Sequence, residues 1–146
     1  MRMDIQIRYC EGRDFEGVQK LLKQLWPDVN SKPEELQRVF DHAIDSMNQK
    51  LIVAVSEESI VGFCSLTLKN NLWQAGNLGV VDELVVDIQY HGKGIGKRLM
   101  ERITQVALEN RCKRIELDSS FHRTEAHQFY EHIGFIKRAY WFSKPL

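Results

Sequence analysis

Cysteine is scarce in this chain, and an excess of charge of either sign is missing. Cys10, Cys64 and Cys112 are odd in number and far apart, with no CxxC pair and no histidine cluster at metal spacing. That excludes a disulfide framework and a thiolate metal centre; the thiols read as reduced and structural rather than catalytic, and no metal is expected. Twenty basic residues balance twenty acidic ones, so no net field draws the chain to nucleic acid or to an anionic membrane, and any anion site must be local. Long apolar runs are missing too, since nothing approaches the roughly 20 residues that a membrane helix requires. The opening MRMDIQIRYC lacks the apolar stretch that follows the basic start of a secretory signal. The expectation is a soluble, cytoplasmic protein.

What remains is 43% apolar and 27% charged, the balance of a globular domain able to bury a core. No linker, internal repeat or low-complexity tract interrupts residues 1–146, so a single domain is expected. IQIRY alternates as a first strand over Ile5 to Tyr9. Asp14 then caps a helix with Phe15, Val18, Leu21, Leu22 and Leu25 on one face, which Pro27 ends at Trp26. Ser31 and Glu34 have the spacing of a capping box for a helix from Pro33 to about Met47. LIVAV (Leu51 to Val55) and SIVGFCSLTL (Ser59 to Leu68) read as a hairpin turning at Glu57 and Glu58, with Gly62 marking a bulge or a close approach. Asn70 to Asn77 is expected as loop and Gly79 to Ile88 as a central strand. A helix to about Asn110, a strand at Arg114 to Asp118, a helix at Thr124 to Ile133 stopped by Gly134, and a last strand at Phe135 to Lys144 complete the order.

Three of the nine glycines, Gly92, Gly94 and Gly96, lie between the central strand and the long helix. Glycine removes the Cβ atoms that keep a ligand off the main chain and permits angles that turn successive N–H groups inward. The helix that follows adds its free N–H donors and the positive end of its dipole, which suits a pyrophosphate, with Lys93, Lys97 and Arg98 nearby as formal charge. A tight turn alone needs fewer glycines. A Walker loop fails because His91 stands at its first position and Arg98 follows Lys97; the dinucleotide fingerprint GxGxxG fails at Lys97.

The string LVVDIQYHGKGIGKRLM, followed by a helix, IELD and AHQFYEHIGF, resembles the GNAT superfamily of acetyl-CoA-dependent N-acetyltransferases over Ile5 to the end. HRTEAHQFY and the ending FYEHIGFIKRAYWFSKPL are similar to small aminoglycoside and aminoalkylphosphonate N-acetyltransferases. The resemblance implies a GNAT-type acyl-CoA N-acyltransferase fold of the α/β (α+β) class, with a mixed central sheet of about six to seven strands and about four flanking helices. It implies acetyl-CoA as cosubstrate, a small-molecule amine as acceptor and, in small members, pairing of two copies. By that resemblance the pyrophosphate lies on a [Q/R]xxGx[G/A] loop, either Gln89 to Gly94 or His91 to Gly96. The second register suits the periodicity resuming at Leu99, and it assigns His91, Gly92, Lys93, Gly94, Ile95, Gly96 and Lys97 to the cofactor with His91 in place of Gln or Arg. The main chain of Leu84, Val85 and Val86 is implied to pair with the pantetheine arm as an added strand does.

An ammonium group has no lone pair to attack with, so acetyl transfer needs a base; Asp82 and Glu83 are the candidates, Glu83 favoured, expected on opposite faces of their strand. Tyr130, in AxxFYxxxGF, is by resemblance the donor to the departing thiolate, a task open to a phenol with an ordinary pKa of roughly 10. Phe129 is placed beside the cofactor or in packing. Arg123 stands where the family often has Asn; it and His122 either meet the cofactor phosphates or solvate the loop. Trp26, Asp28 and Trp73, with Asp82 and Glu83, could form an aromatic and acidic pocket for a cationic amine such as an aminoglycoside, Trp26 being equally suited to a core. A protein lysine or N-terminus as acceptor, and a CoA-sensing domain without turnover, are the rival readings.

Overall fold

The computed structural model describes residues 3–146. Up to Glu116 the chain forms one unit, and Leu117 to Leu146 form a second. The first unit holds β1 (Gln6–Tyr9), α1 (Phe15–Leu25), α2 (Pro33–Asp45), β2 (Gln49–Ser56), β3 (Ser59–Asn71), β4 (Gly76–Val86), α3 (Ile95–Glu109) and β5 (Cys112–Glu116); the second holds α4 (Thr124–His132). The sheet order is β1-β2-β3-β4-β5. Neighbours are antiparallel except β4 and β5, which are parallel and joined through α3, because a parallel pair needs a crossover long enough to return the chain.

Side chains alternate across the inner strands. Leu51, Val53, Phe63 and Val85 bury one face against Phe15, Val18 and Leu21 of α1 and Phe40 and Ala43 of α2. On the other face a Cβ at Gly62 would meet Leu99 and Ile95 of α3, and one at Gly79 would meet Ala107. With helices on both faces, β2 and β3 become almost continuously apolar and buried. Leu99, Ile103 and Val106 of α3 are fully enclosed, each burial stabilising by roughly 1.5–3 kcal/mol.

Several expectations from the sequence are corrected. Five strands are found among the described residues, not six to seven. Phe135 to Lys144, expected as a last strand, has no regular structure; Trp141 and Phe142 are exposed, and β-propensity does not make a strand without a ladder partner. The expected loop from Asn70 to Asn77 shrinks to a turn over residues 72–75, since Asn71 pairs with Gly76 and Asn71 Oδ1 accepts the Gln74 N–H at 2.8 Å. The capping box does not form: Lys32 is the N-cap of α2 without a side-chain bond, and the helix starts on Pro33 and ends at Asp45 rather than near Met47. Asp14 does not cap α1 with its side chain. Its carboxylate instead accepts two Arg8 bonds, at 2.8 and 2.9 Å, and the Glu11 N–H at 2.8 Å. The hairpin turn at Glu57 and Glu58 is present, both residues at positive φ, as a two-residue hairpin turn of type I′ requires.

Candidate active site

The β4–β5 ladder covers only Asn77 to Val80. Past Val80, β4 has no strand partner on that side among the described residues, while β3 pairs with it through to Val86. Asp87 N–H donates to Val61 O at 2.9 Å, so by the alternation of an antiparallel ladder Val85 also turns its main chain to β3, and Leu84 and Val86 turn theirs to the open edge. Of the three residues expected to meet the pantetheine arm, two therefore present main-chain groups there. The Val86 carbonyl accepts a bond from His91 Nε2 at 2.7 Å, which places the proton on that nitrogen.

The ladder register shifts between Ser65 and Leu66, with Asp82 the extra residue: Ser65 faces Glu83, and Leu66 faces Val81. Such a bulge breaks the alternation. Ser65 and Thr67, two apart on β3, share a face; Ser65 Oγ donates to Glu83 Oε2 at 2.7 Å and Thr67 Oγ1 donates to Asp82 Oδ2 at 2.5 Å. Both acids thus stand on one face, not on opposite faces as the strand pattern alone predicts. It is the α1/α2 face, because Leu51 pairs with Ser65. Burial raises the Glu83 carboxyl above its usual range; the Ser65 bond opposes the shift and the Asp82 charge adds to it.

The glycine loop follows. Gly92 and Gly94 have φ of +77° and +79°, and a Cβ on either would meet nothing within 4 Å. The backbone angle, not crowding, reserves these two positions for glycine, and open space lies over them. Gly94 is the N-cap of α3, whose first turn closes with Arg98 N–H to Gly94 O. The N–H groups of Ile95, Gly96 and Lys97 have no carbonyl one turn back. Lys93 and Lys97 are exposed beside them, but Arg98 is turned away, donating to Ile5 O at 2.8 Å.

Gln24 Oε1 accepts the Ile88 N–H at 3.1 Å, a contact that sequence reading missed because it joins residues far apart in the chain. It ties the last turn of α1 to the turn that follows β4, and Trp26 and Asp28 come after Gln24 in the α1–α2 connection, both exposed. Trp73 lies elsewhere, in the β3–β4 turn with the Arg114 guanidinium 5.9 Å from its ring. At about 3.3 Å per residue that turn is roughly 25 Å along β4 from Glu83, so Trp73 is not brought to the acids.

In the second unit, Arg123 is the N-cap of α4. Phe135 N–H bonds to Tyr130 O and Gly134 N–H to Glu131 O, with Gly134 at φ +104°. This is a Schellman stop, and its customary apolar contact is the edge-on pair of Tyr130 with Phe135 at 5.8 Å. Phe129 meets the same ring at 5.4 Å, so the tyrosine is held from two directions.

All three cysteines are free. Burial pushes the Cys10 thiol up to about 12 and raises Cys64 and Cys112, which keeps them protonated and poor nucleophiles. Among the described residues no group of His, Cys, Asp and Glu is placed to hold a metal ion, and no helix is long and apolar enough to cross a membrane.

The acetyltransferase (GNAT) family profile matches residues 15–135. The glucosamine 6-phosphate N-acetyltransferase of Trypanosoma brucei brucei is 27% identical over 135 residues, 91% of this chain and 90% of that protein. The aminoalkylphosphonate N-acetyltransferase of Salmonella typhimurium is 30% identical over 141 residues, 97% of this chain and 91% of that one. The aminoglycoside N-acetyltransferase AAC(6')-Iy, solved in complex with CoA, has a TM-score of 0.87 over 100% of this chain and 98% of its own, at 16% identity, a likeness of fold alone. An open strand edge running into a glycine loop at a helix N-terminus, in a chain that matches this profile over most of its length, marks the protein as an enzyme of the GNAT family of acetyltransferases.

Proposed function

We propose that the chain transfers the acetyl group of acetyl-CoA directly to a primary amine of a small molecule. The observation that carries this is the free edge of β4 leading into Gly92 and Gly94, where two positive-φ glycines and the unpaired N–H groups of α3 suit a pyrophosphate. When bound, acetyl-CoA supplies an acetyl group activated as a thioester. Leu84 or Val86 offers a main-chain donor to the oxygen on which charge develops, and a fixed donor stabilises that charge more than the ground state. Glu83 takes the ammonium proton, so that the amine nitrogen can bond to the acetyl carbon as the carbon–sulfur bond breaks. Tyr130, assigned through its motif, gives a proton to the departing sulfur and takes up the second proton that the nitrogen sheds as the amide forms. No covalent enzyme intermediate is needed; holding both reactants in place supplies much of the rate.

The favoured acceptor is a cationic amine of aminoglycoside type, because Asp82 and Glu83 on one face attract an ammonium group. A second reading, amines that carry phosphate or phosphonate, is supported by the names of the Trypanosoma and Salmonella relatives. The deciding experiment measures thiol release from acetyl-CoA with aminoglycosides, polyamines, glucosamine 6-phosphate, aminoalkylphosphonates and peptides. Turnover on peptides alone would point to a protein acceptor, and CoA binding without turnover on any amine would point to a sensing domain.

A further inference from the structure

We infer that Ser65 is a positioning residue for Glu83, holding the general base ionised and aimed; this rests on the reading of Glu83 as base. Ser65 Oγ makes two bonds to the same residue: it donates to Glu83 Oε2 at 2.7 Å and accepts the Glu83 backbone N–H at 3.1 Å. A hydroxyl has a single proton, and here it is committed to the carboxylate. The two bonds close a ring across the bulge, so the side chain of Glu83 cannot swing without breaking one of them, and Oε1 is left for the amine. Among the described residues, the titratable groups bearing on Glu83 are Asp82 on β4, which is charged, and Cys64 on β3, whose thiol stays neutral; the α1 and α2 side chains buried on that face, Phe15, Val18, Leu21, Phe40 and Ala43, are apolar. The Ser65 bond is the interaction that opposes the burial of the carboxylate. A bond to the charged form lowers a carboxyl pKa, so removing the hydroxyl has a predictable sign.

The test is a carbon-13 NMR titration of glutamate-labelled protein, the Glu83 signal assigned by its loss in Glu83→Gln, alongside pH profiles of kcat with the best acceptor of the panel above. In Ser65→Ala the Glu83 midpoint and the acidic limb of kcat should both move up by about one pH unit, with KM for acetyl-CoA unchanged, and Ser65→Thr should restore both. A Glu83 midpoint unmoved in Ser65→Ala overturns the role of Ser65 while leaving the base assignment standing. An acidic limb that survives in Glu83→Gln overturns the base assignment, and the role of Ser65 with it. Should Ser65→Ala not fold, Ser65→Cys, whose thiol is a weak donor, is read by the same midpoint: an upward move supports the inference and an unmoved midpoint overturns it.

Discussion

At the scale of single residues, the bulge at Asp82 changes what the two acids can do. Burial raises the Glu83 carboxyl, so in its proposed role as base it acquires its charge, and turnover should rise, at a higher pH than an exposed glutamate would allow. Glu83→Gln should lower kcat by about a hundredfold or more and abolish the acidic limb; steady-state rates across pH check this. Asp14 illustrates the opposite shift. Arg8 holds its carboxyl below the usual range, so the pair contributes stability that is present above the unfolded value and lost as pH falls through the lower folded one. Asp14→Asn should therefore lose about 1.5–3 kcal/mol near neutrality. The deficit should shrink in acid below about pH 4, which urea unfolding at several pH values would show. A deficit independent of pH would mean that packing, not charge, is what Asp14 supplies.

At the scale of elements, two glycines separate function from packing. Gly94 needs glycine for its angle and nothing else, since a Cβ there meets open space. Gly94→Ala should cost about 1–2 kcal/mol of backbone strain and weaken CoA binding about tenfold by turning the N–H groups of the loop; calorimetry measures the second effect separately from the first. Gly17 is the reverse case. It lies inside α1 with no unusual angle, yet an added Cβ would come within 2.6 Å of Ile60 Cγ1 and 2.8 Å of Ile60 Cβ. The helix gains about 1 kcal/mol of propensity from alanine, but overpacking costs about 1–3 kcal/mol, so Gly17→Ala should lower the urea midpoint. A raised midpoint would show that α1 can lift from β3 at little cost.

At the scale of the whole molecule, a ligand that binds only the native state must stabilise it. CoA at about a hundred times its Kd should add about 2.7 kcal/mol, which for a chain of this length raises Tm by roughly 5–10 °C. No shift at millimolar CoA would remove the basis of the proposed function. The same measurement on Gly94→Ala links the global effect to the loop, because the shift should diminish with the affinity.

The order of elements up to β5, the glycine loop and the helix stop at Gly134 were legible in the sequence, because each rests on local physics: periodicity, φ preference and the Schellman spacing that puts Tyr130, Gly134 and Phe135 in fixed relation. The fate of Phe135 to Lys144 was not legible, since a strand is defined by its neighbour and not by its own residues. Nor was the common face of Asp82 and Glu83: alternation predicts opposite faces until a bulge intervenes, and a bulge arises from the pairing of two strands. The turning of Arg98 to Ile5 and the tie from Gln24 to Ile88 join residues distant in the chain. Sequence alone determined where the backbone could turn and which side chains had to be buried. Only the tertiary structure decided which polar groups met, because a hydrogen bond is a matter of a few ångströms between atoms whose separation along the chain carries no information about it.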